Sequence, residues 1–409
     1  MRAALIHLAL LAIGFAGCSG FKQSNRDTGA DSNAIRDGAA MDIDLALNID
    51  GPKKDSPAAA DAKRDSVLPD GPISDSVTID VGPTPDFTFK PNAPCRTLTL
   101  PCLASSPVKV IDVPGEMTAA NAFKNAKAGD TIQINGKTLG AGWWIPPYVT
   151  LRGCNGAQIT GSVGFSGSAG TVEGFAVGGK GQIVANRTGS YTVRHNVFSG
   201  VGTDTAAGVS GRSIDGLVSA AVDLRVESNR FSGRRLGVEA RTKYDVGVHE
   251  VRLTVQNNIF DGVQRPIELS EGGLVGKVVA AIDFNTLYKF DTGLSLIGVD
   301  RKTVTRANVF AEGRIGIQAS SVYEAHHSFV WKVSTTHSSP PLVGALSQGD
   351  PAFVNAAGGD FRLSSTSALI DRVPKSAQVP TEDYYGCARP VAIKGTQALA
   401  DVGALEAQP

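Results

Sequence analysis

The chain has few aromatic side chains, 6% of its 409 residues, and only five cysteines. It has no charge excess of either sign, with 39 basic and 39 acidic residues. That balance removes bulk electrostatic attraction to nucleic acid. No convincing amphipathic helix interrupts its body. No Walker loop, nucleophile elbow or dinucleotide fingerprint occurs in the strand–helix context each requires. His249-Glu250 lacks the second histidine of a zinc-protease helix, because that position holds Leu253. Proline is limited to 21 residues and there is no Gly-X-Y period, so a collagen helix is excluded. What the chain has in excess is glycine, 47 residues, well above the ~7% background.

The N-terminus carries an address. Met1-Arg2 precedes an apolar run from Ala3 to Gly17, broken by His7. The run is shorter than the ~20 residues of a spanning helix and suits a signal-peptide core. It ends in Phe15-Ala16-Gly17-Cys18, which resembles a bacterial lipobox. That resemblance implies a signal peptide over 1–17 and lipidation of Cys18, with an ordinary secretory cleavage as the alternative. Ser19 is similar to the sorting position of lipoproteins sent to an outer membrane or cell surface.

Residues 18–90 read as a disordered tether rich in Asp, Pro and Ala. Between 21 and 90 stand thirteen Asp, no Glu and eight Lys or Arg, a net charge of −5. Such a stretch buries too little apolar surface to offset its ordering entropy. Its charges self-repel and extend it. With Arg2 also set aside, 30 basic and 26 acidic residues remain for 91–409, a body of net charge +4. Cys95, Cys102, Cys154 and Cys387 allow two disulfides in three connectivities, as export permits. A Cys95–Cys102 bridge would close a small loop at the entrance to the body.

The body repeats. Val193-Arg194-His195-Asn196-Val197-Phe198 recurs as Val226-Glu227-Ser228-Asn229-Arg230-Phe231 and Val255-Gln256-Asn257-Asn258-Ile259-Phe260. Ile282-Asp283-Phe284-Asn285-Thr286-Leu287 and Thr305-Arg306-Ala307-Asn308-Val309-Phe310 continue the series. A second motif follows each: Gly208-Val209-Ser210, Gly237-Val238-Glu239, Pro266-Ile267-Glu268, Gly293-Leu294-Ser295 and Gly316-Ile317-Gln318. Short period-2 segments between turn residues are strands. Strands recurring once per repeat without crossover helices pair with their counterpart in the next repeat and build a parallel β-helix. The repeated Asn, both donor and acceptor, is expected to form a ladder at one corner. Thr118–Ala126 reads as a short helix capping the first coil and shielding its open edge.

These residues resemble the right-handed parallel β-helix superfamily, similar to pectate lyases. Asp350-Pro351-Ala352-Phe353-Val354-Asn355, Gly359-Asp360-Phe361-Arg362-Leu363, Ser367-Ala368-Leu369-Ile370-Asp371, Asp383, Gly386, Arg389-Pro390 and Asp401-Val402-Gly403-Ala404-Leu405-Glu406 resemble the closing segment of choice-of-anchor-Q-type bacterial surface proteins. The resemblance covers roughly residues 107–406. It implies an all-β, single-stranded right-handed parallel β-helix with a short N-terminal capping helix. The coils and their cap occupy 91–345 and a closing segment occupies 346–409. It also implies an extracytoplasmic monomer that meets polysaccharide. The superfamily contains lyases, hydrolases, epimerases and binding proteins, so fold alone does not select an activity.

In the second motif the apolar residue should face the core and the next residue solvent. Ser210, Glu239, Glu268, Ser295 and Gln318 then share an outer column, with Glu239 and Glu268 about 5 Å apart. Arg241 lies on the same face as Glu239. Arg234, Arg235, Lys243 and Arg265 flank the strip as substrate-binding candidates, with Asp245 and Glu271 nearby. Three readings compete. Lyases of the superfamily often hold calcium with acidic side chains, and Arg241 would then be the base. A glycoside hydrolase would use Glu239 and Glu268 as its carboxylate pair. A non-catalytic surface would merely carry paired, solvated charges. A second outer column is Arg194, Glu227, Gln256, Asp283 and Arg306. Trp143, Trp144 and Tyr148 either stack on sugar rings or roof the cap. His326, His327 and His337 lie in loop-like sequence and form a metal candidate. The expected function is binding of extracellular polysaccharide, with lyase or hydrolase action and plain adhesion as alternatives.

Overall fold

The computed structural model describes residues 100, 102–103, 109–113, 118–213, 220–242, 249–272, 276–300, 302–338, 342–344, 346–374, 378–389 and 399–407. The signal segment, Cys18, the tether, Cys95 and Lys243 lie outside the described residues.

The body is a parallel β-helix. Among the described residues, eleven strands stack in one sheet, from Val110–Val113 through Ala220–Glu227 and His249–Gln256 to Leu342–Val343. A second sheet, of sixteen strands among the described residues, carries two ladders that merge at the long strand Thr286–Ile297. Pairing between coils is parallel. Each strand lies in register with its counterpart one repeat away, as Val226↔Val255 and Glu239↔Glu268 illustrate. The antiparallel pair of Phe353–Asn355 with Asp360–Leu363 belongs to the C-terminal segment.

Each coil turns its apolar residues inward, where only the neighbouring coils can cover them. Val193, Val226, Val255 and Ile282 stack on one wall, and Val209, Val238, Ile267, Leu294 and Ile317 on another, all fully buried. Phe198, Phe231 and Phe260 stack face to face with centroids 4.5 and 4.8 Å apart. This aromatic column explains a glycine of the second motif. A Cβ on Gly237 would lie 2.8 Å from the Phe260 ring and 2.5 Å from the Pro266 carbonyl oxygen.

The asparagine ladder is present. Nδ2 of Asn196, Asn229, Asn258 and Asn285 each donates to Oδ1 of the Asn in the following coil at 3.0–3.1 Å. The same Oδ1 atoms also accept the backbone N–H of the Asn before them. Ser328 ends the series, its Oγ accepting from the Asn308 N–H at 3.1 Å. The residue ahead of each Asn is left-handed: His195, Ser228, Asn257, Phe284 and Ala307 all have φ between 51° and 55°. Ladder bonds on the next residue outweigh the ~1–2 kcal/mol that this conformation costs a residue with a Cβ.

The helix Ala119–Asn125 caps the N-terminal end, with Thr118 as its N-cap and Phe123 buried. Cys102 is bonded to Cys154 at the end of the strand Val149–Cys154. The expected Cys95–Cys102 loop is therefore not formed. The bridge instead spans 52 residues and ties the entrance to an inner coil. Cys387 is also disulfide-bonded.

The C-terminal segment flanks the coils. Phe361, Leu369, Val373, Tyr384, Val402 and Leu405 pack on Ile259, Phe284, Tyr288, Ala307 and Val309. Asn257 donates to the Glu382 carbonyl at 2.7 Å, and Thr286 Oγ1 accepts from the Ala404 N–H at 3.0 Å. The Arg389 side chain, wholly buried, lies over the Phe284 ring at 4.7 Å. It donates twice to the Gly403 carbonyl and pairs with Glu406 at 3.3 Å. Asp383, Asp401 and Glu406 cap backbone N–H groups of the same segment. Asp383, Arg389, Asp401 and Glu406, which helped carry the closing-segment resemblance, are thus its internal bracing. The segment covers the outer side of the strands Arg230–Ser232 and Ile259–Asp261, the latter through Ile259. The strip of Glu239 lies on the other ladder, where the Arg241 and Arg265 side chains remain about half exposed.

Candidate functional site

The strip lies on the outer face of the strands Val209–Ser213, Leu236–Thr242 and Arg265–Ser270. Strand alternation dictates this. Val209, Val238 and Ile267 point into the core, so Ser210, Glu239 and Glu268 point out and stand in register. Ser295 and Gln318 continue the column. Two residues on, Arg212, Arg241 and Ser270 form a parallel column. Facing out is not the same as being solvated: Ser210, Glu239 and Ser295 are buried under their neighbours.

The charges lock together. Arg212 Nη2 and Nε reach Glu239 Oε2 at 2.6 and 3.1 Å, and Ser210 Oγ donates to the same oxygen at 3.1 Å. Arg241 Nη2 bridges the two coils, 3.0 Å from Glu239 Oε1 and 3.3 Å from Glu268 Oε1. Arg265 Nη1 holds Glu268 Oε2 at 3.0 Å. All four carboxylate oxygens thus meet a guanidinium. The layering is asymmetric. The side chains of Glu239 and Glu268 are 4% and 15% exposed, while those of Arg212, Arg241 and Arg265 are 43%, 49% and 47% exposed. Carboxylates form the floor and guanidiniums the surface.

This arrangement bears directly on the chemical readings. Calcium fits the strip poorly, because every oxygen that would bind it already faces a cation. Among the described residues no group of three or more metal-ligating side chains is assembled. Arg241 is already engaged as a donor, to Glu239, Glu268 and the Ser270 hydroxyl. The Glu pair offers neither an unpaired acid nor an unpaired nucleophile.

The remaining candidates separate by position. Arg235 is exposed at the corner before its strand, and its carbonyl accepts the Arg265 N–H. Arg234 is not a surface residue. It is fully buried and donates to the Ser199 and Gly181 carbonyls at 3.3 and 2.9 Å, with burial pushing its pKa down. Trp143 packs on Phe123 at 4.9 Å, so it roofs the cap. Trp144, its neighbour, faces out and is 47% exposed. Tyr148 is exposed as well. Lys243 and Asp245 lie outside the described residues.

The second column is in register along the first sheet. Glu173 there binds both Arg152 and Arg194 at 2.7 and 2.8 Å, and Asp283 binds Arg306 at 2.8 Å. Burial nonetheless pushes the Asp283 carboxyl up, against the pull of Arg306. This wall neutralises itself. The histidine segment is not loop: His326 ends the strand Tyr323–His326, and His337 lies in the strand Ser328–Ser338. His326 contacts Glu324 at 3.3 Å, and the three histidines do not assemble as a metal-ligating group.

Arg212 is the binding candidate that the sequence pattern had not brought out. The signal was available: Arg212 follows Val209 by the same offset as Arg241 follows Val238. Aligning the repeats beyond the three-residue motif would have found it.

No protein-family model matches the chain, and no curated protein matches it. Among solved structures, the chain is similar to the crystal structure of pectate lyase Pel9A, with 12% identity and a TM-score of 0.40 over 77% of this chain and 99% of that one. It is also similar to a mutant of the PL6 family alginate lyase AlyGC, with 14% identity and a TM-score of 0.18 over 67% of this chain and 59% of that one. The parallel β-helix itself is read from the strand pairing.

Proposed function

We propose that the protein binds acidic polysaccharide without transforming it, through Arg212, Arg241 and Arg265. One observation carries the reading: three half-exposed guanidiniums are pinned to one outer face by two far less exposed carboxylates beneath them. Pinned forks lose little side-chain entropy on binding, and a guanidinium matches a carboxylate or sulfate in two parallel hydrogen bonds. With two glutamates against three arginines the strip keeps a net positive charge, which selects an anionic ligand. Cys18 anchors the chain by lipid, and the acidic tether holds the β-helix away from the membrane. The lipobox-like sequence and the disulfides agree with that exported setting.

Affinity electrophoresis in sodium polygalacturonate, sodium alginate and neutral dextran tests the reading. Retardation by an acidic polymer, absent in dextran and weakened by salt, is expected. Replacing Arg212, Arg241 and Arg265 together by Gln should abolish it. Unsaturated products detected by ultraviolet absorbance would overturn the non-catalytic part of the proposal. Equal retardation in dextran would overturn the electrostatic part.

A further inference from the structure

The outer column of Glu239 does not end at the strip. Strand pairing carries it back coil by coil, from Glu239 to Ser210, Val184, Gly164 and Trp144. Trp144 therefore stands on the same face, four strand spacings or ~19 Å from Glu239. The alternation agrees, since Ile145, Val163, Phe165 and Ile183 on either side of the column are fully buried.

The orientation of the Trp144 ring is specific. A Cβ built on Gly164 would meet Trp144 Cζ3 at 2.6 Å, Cε3 at 2.9 Å and Cη2 at 3.3 Å. Three consecutive atoms of the six-membered ring at such distances mean that the ring lies across the glycine. Gly164 has an ordinary φ and needs no glycine for its backbone. Its missing side chain is what lets the indole lie down on the strand. One indole face thus covers the sheet, and the side chain remains among the most exposed large apolar groups of the described residues. A free, flat aromatic surface fits the C–H face of a pyranose ring.

The geometry points to Trp144 as a sugar-stacking subsite that takes one residue of the same acidic polysaccharide chain whose carboxylates meet Arg212 and Arg241. The glycan then runs along the stacking direction of the coils, over the low surface of Gly164, Val184 and Ser210. This rests on the binding reading above, and it adds a ligand direction and a minimum ligand length. A chain too short to cover the three strand spacings from Trp144 to the coil of Arg212 engages only one end, and reaching Arg241 takes a fourth.

The test measures binding of sodium polygalacturonate, and of a galacturonate trisaccharide, to the full chain by calorimetry. Four proteins are compared: wild type, Trp144→Ala, Gly164→Ala and the double variant Arg212→Gln, Arg241→Gln. Gly164→Ala keeps the indole and lifts it off the strand, so it reads ring placement apart from ring loss. Trp144→Ala is expected to weaken polymer binding about 3- to 10-fold, the range of one aromatic contact. Gly164→Ala should weaken it in the same direction, and the trisaccharide should bind wild type and Trp144→Ala alike. Polymer should quench the tryptophan fluorescence of wild type and not that of Trp144→Ala. Polymer affinity and quenching unchanged in Trp144→Ala, with binding lost in the double Arg variant, would overturn the subsite and leave the Arg reading standing. Polymer that fails to bind wild type would overturn both.

Discussion

Substituting Asn258 probes the device that sets the corners of the coils. Its Nδ2 donates to the Val226 carbonyl at 2.8 Å, the Gln256 carbonyl at 2.9 Å and Asn285 Oδ1 at 3.0 Å. Two hydrogens serve these three acceptors, so the contacts count as two bonds. Its Oδ1 accepts from the Asn229 N–H at 2.9 Å and from Asn229 Nδ2 at 3.1 Å. Asn229 Nδ2 keeps two carbonyl partners without it, but the buried Asn229 N–H is stranded. At about 1 kcal/mol for each of two lost bonds, plus ~1–3 kcal/mol for the unsatisfied donor, Asn258→Ala should cost about 3–5 kcal/mol. Asn258→Asp keeps the acceptors but sets a buried carboxylate against two carbonyls, so at neutral pH it should cost more than Ala. It should recover partly in acid, when the carboxyl regains a donor. Ser328 shows that a hydroxyl can serve in the series, accepting the Asn308 N–H and donating to the His326 carbonyl. Asn258→Ser should therefore cost only about 1–2 kcal/mol. Guanidinium midpoints, read with a common slope, should fall in the order Ser, Ala, Asp. A loss below ~1 kcal/mol for Asn258→Ala, or a Ser variant as damaged as the Ala variant, would refute the ladder as a source of stability.

The remaining predictions concern the C-terminal bracing, the bridge and the strip. Burial raises the Asp401 carboxyl to about 6, so the folded state favours its neutral form. Its contribution to stability is then fully present below the ordinary carboxylate range and falls by on the order of 3 kcal/mol as pH rises through that range to about 6; Asp401→Asn should flatten the slope in melting curves, and an unchanged slope would reject the assignment. The Cys102–Cys154 bridge spans 52 residues, which in the chain-entropy treatment amounts to about 4 kcal/mol; Cys102→Ala should lower the denaturation midpoint accordingly without altering the circular dichroism spectrum. Glu239→Gln raises the net charge of the strip yet removes the ionic anchor of Arg212 and one of the two that hold Arg241, so polygalacturonate affinity should fall several-fold. Tighter binding by that variant would show that charge matters and placement does not.

Much of the fold was legible in the sequence because a solenoid repeats its physics locally. The recurring Asn, the inward Val or Ile and the Gly before them each serve the coil in which they occur, and the next coil repeats the demand. The column of Ser210, Glu239 and Glu268 followed from the same period-2 alternation. Arg234 misled because its neighbour Arg235 does lie at the surface, and a linear pattern does not show that a turn folds a guanidinium inward onto carbonyls. The acidic residues of the C-terminal segment were recognised as a pattern, but their purpose, bracing around Arg389, depends on contacts within a folded segment.

Periodicity is a property of the chain, and it was enough to settle the class of fold, the register of the coils and the face on which charged residues stand. Contacts between coils settled the rest: which carboxylates are already occupied, which tryptophan is free and which ladder the C-terminal segment covers. Those outcomes depend on side chains that are 27 to 29 residues apart at the strip. Over such separations a difference of one rotamer distinguishes a carboxylate open to a metal from one already paired with arginine.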